Sequence, residues 1–287
     1  MIKAVFRKKN FLYDDIEKDT TDKREKGEID MNPKLIFFDI DGTIYDHDKH
    51  IPDSARNAVT ALKEAGHHVF IASGRSPFMV KPILEELEIE SFISYNGQYV
   101  VFEGEVIYKN PLPEDAVARL LKQAAEGEHP VVFMAEDTMK TTVPGHPHVS
   151  EGIGSLKAPY PEVDETFYKG KEIYQLLLFC RGHEEKAYAA FPEFDYVRWH
   201  ELSTDVLPKG GSKAEGIKRV LERLPYGVSD TYAFGDGLND LEMIRFVGTG
   251  VAMGNAVPEL KAAADFVTKP VDEEGISWAV KELGLLK

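Results

Sequence analysis

Two aspartates one residue apart, Asp39 and Asp41, stand at the end of the apolar run Leu35-Ile36-Phe37-Phe38 and are followed by Gly42 and Thr43. A short stretch of large apolar side chains reads as a buried strand. Alternate residues of a strand share a face, so the two carboxylates repel unless a cation or a shared proton relieves them. With a hard metal between them, one carboxylate could attack while the other moves protons. Gly42 permits a sharp exit, because glycine tolerates positive φ. An ordinary Asp-Gly turn is the simpler alternative.

Related groups recur at three further places. Ser73, with Gly74 and Arg75, follows the apolar run Val69–Ala72, and a hydroxyl beside an exposed N–H suits an anionic oxygen. Lys213 lies near a helix start after Gly210 and Gly211, where a cation and free helix N–H groups together suit phosphate. Asp236, Asn239 and Asp240 follow Thr231–Phe234, and a carboxylate near Asp39 would complete an oxygen-rich Mg²⁺ site. Taken singly, Ser73-Gly74 is also a plain turn and Lys213 an exposed helix lysine. Gly235–Asp240 is also a loop in which Asn239 caps a helix. Their recurrence at successive strand ends points to one site, because ligands of open α/β sheets gather at the carboxyl ends of strands.

The elements between these groups alternate. Pro52-Asp53-Ser54 opens a helix with Ala58, Val59, Leu62 and Ala65 on one face, and Gly66 stops it. A strand at 69–72, a helix from about Pro77 and a strand at 92–95 ending in Asn96-Gly97 follow. Tyr99–Phe102 and Val106–Tyr108 flank Glu103-Gly104-Glu105 as a β-hairpin. Strand–helix repetition predicts an α/β fold, a parallel sheet with helices on both faces. From about 113 to 201 the texture changes to an inserted α+β module with scattered strands, among them 172–179 and 196–199, and a loop-like stretch over 144–161. Alternation resumes after Pro208. A helix capped near Ser212 carries Ile217, Val220, Leu221 and Leu224. Strands follow at 231–234, 250–253 and 266–267, with a last helix near 276–283. The expected boundaries are 31–112 and 202–287 for the core and 113–201 for the insertion.

The 287 residues, 43% hydrophobic and 29% charged, suit one large or two modest globular domains. A net charge of -15 argues against nucleic acid or an anionic membrane as the main partner. No apolar run is long enough to span a bilayer, and no signal peptide is legible, so the reading is cytoplasmic. Residues 1–30, rich in charges of both signs, read as a poorly ordered extension. Cys180, the lone cysteine, sits in an apolar run and reads as an inert buried thiol. His146-Pro147-His148 could meet a substrate or be ordinary loop histidines.

Asp39-Ile40-Asp41-Gly42-Thr43, Ala72-Ser73-Gly74-Arg75, Ser212-Lys213-Ala214-Glu215-Gly216 and Gly235–Asp240 resemble, in order and wording, the motifs of the haloacid dehalogenase-like (HAD) phosphohydrolases. Asn96-Gly97 and Ala252-Met253-Gly254-Asn255-Ala256 are similar to those of the Cof-type branch, whose class IIB cap is inserted between the second and third motifs. The resemblance implies a Rossmann-like three-layer core under an α+β cap that selects the leaving group. It implies a Mg²⁺-dependent phosphatase acting on small phosphorylated metabolites, sugar or cofactor phosphates, as a monomer or small homo-oligomer. In its terms Asp39 is the nucleophile and Asp41 the acid/base. Asp39, the Asp41 carbonyl and Asp236 hold Mg²⁺, and Ser73, Gly74, Lys213 and Asn239 bind phosphate. Asp240 orients Lys213 or a metal-bound water, with Thr43, Asn96 and Arg75 in support. Arg75 either reaches substrate or cap or pairs with a surface carboxylate. A phosphosugar mutase and a non-catalytic phospho-ligand-binding regulator are the alternatives.

Overall fold

Leu35–Phe38 (β1) carries four apolar side chains, and none of them meets solvent. Such a strand needs neighbours on both edges and cover on both faces. The computed structural model describes residues 32–286, so the expected N-terminal extension lies outside the described residues. In it β1 pairs in parallel with His68–Ala72 (β2) on one side and with a much later strand on the other. Beyond β2 come Phe92–Ser94 (β3), Tyr99–Phe102 (β4) and Glu105–Lys109 (β5), the last two antiparallel, as the hairpin pattern predicts. The chain then leaves this sheet.

A second sheet holds Val131–Met134 (β6), Met139–Thr141 (β7), Glu162–Val163 (β8), Gln175–Leu178 (β9), Phe194–His200 (β10) and Ser203–Pro208 (β11), in the order β10-β11-β9-β6-β7-β8. Thr231–Gly235 (β12), Thr249–Ala252 (β13) and Phe266–Val267 (β14) return to the first sheet, completing the order β14-β13-β12-β1-β2-β3-β4-β5.

The helices of the first sheet are Asp53–Glu64 (α1) and Pro77–Leu87 (α2), then, after two helices of the insertion, Glu114–Glu126 (α3) and Pro147–Ser155 (α4), Lys213–Leu221 (α5), Leu241–Phe246 (α6), Pro258–Ala263 (α7) and Gly275–Glu282 (α8). They form two rows: α1 packs on α2 and α8, while α6 packs on both α5 and α7. The rings of Phe37 and Phe70, and of Phe38 and Phe234, lie 4.7 Å apart between adjacent strands. Cross-strand aromatic pairs of this kind stabilise sheet register.

The second sheet has two unlike faces. Val131, Phe133, Leu176, Leu178 and Val206 pack under α3 against Val117 and Leu120. Val132, Met134, Leu177 and Phe179 pack with α4 and with Tyr95, Tyr99 and Val101 of the core. No described helix is long and apolar enough to cross a membrane.

Two expectations shift. The stretch 144–161 is not simply a loop, because α4 occupies its middle. Gly152 and Gly154 depress its helix propensity, but a Cβ on Gly152 would lie 2.7 Å from the Phe179 ring, so tertiary packing requires the glycine that hides the helix. The second sheet also runs through Pro208 rather than ending at 201. Both faces of β11 are covered, so Ser203–Pro208 lacks a polar alternation to announce it.

Candidate active site

The carboxyl ends of β1, β2 and β12 and the N-terminus of α5 converge, as the four motifs predict. After β1 the chain turns tightly: the Ile40 carbonyl accepts from the N–H groups of Thr43, Ile44 and Tyr45 at 3.3, 3.0 and 2.7 Å. Gly42 takes φ +79°, and a Cβ there would lie 2.2 Å from Oδ2 of Asp236. The glycine is thus what lets two motifs touch. Gly97, at φ +96°, does the same for the third, since a Cβ on it would meet the Ser212 carbonyl at 2.1 Å. Ser212 caps α5 by accepting from the Glu215 N–H at 3.4 Å, and Lys213 follows at the first helical position.

Lys213 is not an exposed helix lysine. It is 0% exposed, and its Nζ donates to Asp39 and, at 2.6 Å, to Asp240. Asp240 is also 0% exposed, and its other oxygen accepts from the backbone N–H groups of Asp236 and Gly237 at 3.0 Å each. Burial opposes the charge on Lys213, but Asp240 and Asp39 outweigh it and hold the ammonium protonated. Burial, then the Asp240 charge, push Asp39 up to about 7 against the pull of Lys213. Burial and Asp240 likewise raise Asp236 to about 6, while Lys213 and Thr43 act downward.

Asp39, Asp236 and Asp240 each place an oxygen within 4.8 Å of the others. With one lysine among three acids, full ionisation leaves an excess of two negative charges. The donor set is all oxygen, which suits a hard divalent cation. Asp240 is already committed to Lys213 and two N–H groups, which leaves Asp39 and Asp236 with free oxygens.

Asp41 does not join this cluster. Arg75 grips it in a fork, Nε to Oδ2 at 3.0 Å and Nη2 to Oδ1 at 2.7 Å, and Lys49 donates to it at 2.5 Å. Burial acts upward on Asp41, yet Arg75 and Lys49 prevail and hold its carboxyl below the usual range. Arg75 therefore pairs with a carboxylate, but with Asp41 of the candidate site rather than with a surface group. Ser73 is buried and its hydroxyl accepts from the Arg75 N–H at 3.1 Å, closing a turn at the end of β2. Asn96, at φ 50°, lays its amide over Gly74, 3.0 Å from where a Cβ would be. Asn239 is exposed on the loop after β12, and Thr43 is fully buried beside Asp236.

Lys49 carries no clear sequence signal, and Asn255 stands out only as part of the Ala252–Ala256 motif, with no role attached. Lys49 is one charge among several in 46–50. Asn255 spans two motifs, donating to the Gly42 carbonyl at 2.8 Å and accepting from the Val271 N–H at 2.9 Å. The His146 ring accepts from the His148 N–H at 3.2 Å, capping α4. Burial pushes the Cys180 thiol up to about 11, which leaves it inert at neutral pH.

A model of the haloacid dehalogenase-like hydrolases matches residues 36–280 and so spans every one of these motifs. The chain belongs to that family. Within the HAD hydrolases it is 79% identical over 257 residues to YkrA of Bacillus subtilis (strain 168), covering 90% of this chain and all of that protein. It superimposes with a TM-score of 0.82 on BT1666 from Bacteroides thetaiotaomicron, a structure described among phosphatases of the HAD superfamily, at 29% identity over 91% of this chain and all of that one. BT4131, described as a HAD subclass IIB sugar phosphatase, matches with a TM-score of 0.76 at 34% identity over 88% of this chain and all of that one. The core and inserted cap described above are thus the HAD architecture, of the Cof type.

Proposed function

We propose that this HAD hydrolase is a phosphatase that releases phosphate from small phosphorylated metabolites through a phosphorylated Asp39. The observation that carries the reading is the anchoring of Asp39 by a fully buried lysine–aspartate pair beside a second, uncommitted acid, Asp236. The names of BT1666 and BT4131 support the phosphatase class.

Asp39 and Asp236, with the Asp41 carbonyl, would hold Mg²⁺; bound there, it would offset the surplus negative charge and let an anionic phosphoryl group approach a carboxylate. An Asp39 oxygen attacks phosphorus in line, the P–O bond to the leaving group breaks, and Asp41 supplies the proton that the leaving oxygen takes. Water then attacks the phosphorylated Asp39, Asp41 takes its proton, and phosphate departs with Asp39 restored. Lys213 fixes the nucleophile and, with Ser73 and the Gly74 N–H, stabilises charge on the equatorial oxygens. In the structure Asp41 is ionised and held by Arg75 and Lys49, the form required to accept the proton of water. Asn239, exposed on the loop after β12, would meet the incoming phosphate.

The test is phosphate release from a panel of metabolite phosphomonoesters with Mg²⁺, wild type beside Asp39→Asn. Release confined to wild type supports the reading. Equal release from both, or isomerised substrate without net phosphate, overturns it.

A further inference from the structure

The chain passes between core and cap twice, at 110–113 after β5 and at 209–212 before α5. The setting of the cap above Asp39 depends on how these two short connections are held. One side chain of the core reaches both.

Gln98, immediately before β4, is 2% exposed. Its carbonyl accepts from the Asn110 N–H at 2.9 Å, and its side-chain Oε1 accepts from the Asn110 amide at 2.6 Å. Two hydrogen bonds thus hold the outgoing connection at its first residue. The other end of the same amide reaches the returning connection: a Cβ on Gly211 would lie 1.7 Å from Nε2 of Gln98 and 2.9 Å from its Cδ. The end of a flexible side chain ordinarily swings clear of an added methyl group. This one is buried and tied to Asn110, so it moves only by giving up that bond.

The segment that presents Gln98 is strained. Tyr95, Asn96 and Gly97 take φ 52°, 50° and 96° in succession. Such backbone persists where the surroundings over-determine it. The Tyr95 N–H donates to the Arg75 carbonyl and the Asn96 N–H to the Ser73 carbonyl, each at 3.1 Å, and the Tyr95 hydroxyl donates to the Ala135 carbonyl of the cap at 2.6 Å. The apolar cluster shared by cap and core is non-directional, and by itself it fixes no single setting.

We propose that Gln98 is a positioning residue that pins both connections and so pre-sets the cap over the catalytic acids before substrate arrives, with Gly211 as the gap that admits its amide. A ligand binds more weakly in proportion as the binding-competent arrangement is less populated. Without the pin, substrate must order the cap, and apparent affinity falls. The chemical step is spared, because Asp39, Lys213 and Asp240 bond one another and not Gln98. The kinetic consequence rests on the phosphatase reading above.

The test measures kcat and KM on p-nitrophenyl phosphate, and inhibition by inorganic phosphate, for wild type, Gln98→Ala, Gly211→Ala and the double variant. KM is expected to rise about fivefold or more in each single variant, the worth of one buried hydrogen bond, while kcat stays within about twofold. Inorganic phosphate, held by core groups alone, should inhibit as in wild type. The second substitution should add less than about twofold to KM, because each removes the same pin. A KM within about twofold of wild type overturns the proposal. So does a loss confined to kcat, the mark of a smaller folded fraction, or phosphate inhibition weakened as much as KM. Effects that multiply in the double variant overturn the pairing of Gln98 with Gly211. Should Gln98→Ala fail to fold, Gly211→Ala, which keeps the glutamine, carries the same expectations. Hydrogen exchange of the Asn110 and Gly211 amides without substrate should quicken in the single variants, and unchanged exchange overturns the pin. Absence of turnover by wild type on every ester sinks the phosphatase reading, while the exchange comparison still decides the pin.

Discussion

Replacing Asp240 by Asn tests whether the buried Lys213 depends on the second of its two acids. The side chain keeps its shape but loses its charge and one acceptor. Asp240 now serves three donors: Lys213 Nζ at 2.6 Å and the N–H groups of Asp236 and Gly237 at 3.0 Å each. An amide has one acceptor oxygen, and its NH₂ must then face an ammonium or an N–H group. Removing one partner of a buried ion pair costs about 3–5 kcal/mol. Asp39 still contacts Lys213, so the lower end applies, about 3 kcal/mol. One backbone N–H left unpaired adds about 1 kcal/mol. The sum, about 4 kcal/mol, is a large part of a typical 5–15 kcal/mol stability. With a urea m-value of about 3 kcal/mol/M the midpoint falls by roughly 1.3 M. Urea unfolding of both proteins in chelator, followed by circular dichroism, measures it. A midpoint within about 0.3 M of wild type at equal m would refute the claim that Asp240 compensates the buried lysine. Phosphate release should fall with stability, because Lys213 is then free to shift away from Asp39.

Gly42→Ala places a Cβ 2.2 Å from Asp236 Oδ2 at φ +79°, so Asp236 must move; turnover at saturating Mg²⁺ should drop about 100-fold, and a rate within threefold of wild type would show that Asp236 has room to yield. Arg75→Met removes the charge that acts most strongly downward on Asp41, so its pKa rises and the acid limb of the pH–rate profile moves to higher pH; an unmoved limb would separate Asp41 from that limb. Asp39 at about 7 and Asp236 at about 6 lie above their unfolded value of 3.8, so the folded protein binds more protons than the unfolded chain between pH 4 and 7. Metal-free stability should therefore fall as pH rises through that window, and Mg²⁺ should reduce the fall; urea midpoints at pH 5 and 8, with chelator and with Mg²⁺, decide it.

Most of the core was legible because its strands are short, apolar and stopped by chemistry-bearing residues. Asp39, Ser73, Lys213 and Asp236 each sit where a strand ends or a helix begins, and topology alone brings them together. The Asp39–Asp41 pair shows the limit of that logic: alternation suggests a shared face, but the turn closed on Ile40 sends Asp41 to Arg75 instead. The cap was harder. α4 contains Gly152 because the Phe179 ring needs the space, and β11 mixes Ser, Thr and Asp into a strand covered on both faces. Lys49 is found only through the three-dimensional path of the loop that carries it.

The placement of β1 between β2 and β12 has a consequence for synthesis. At 5–20 residues per second, β12 leaves the ribosome roughly 10–40 s after β1. Through that interval Leu35–Phe38 can pair along one edge only, while the cap strands, whose partners all lie within the insertion, can already associate. Lys213, Asp236 and Asp240 emerge roughly 170 to 200 residues after Asp39, so a shorter nascent chain carries Asp39 with neither its lysine nor its neighbouring acids. The acid–lysine cluster is therefore complete only once β12 pairs with β1, and an interrupted chain lacks it while exposing a sticky apolar edge for chaperones to cover.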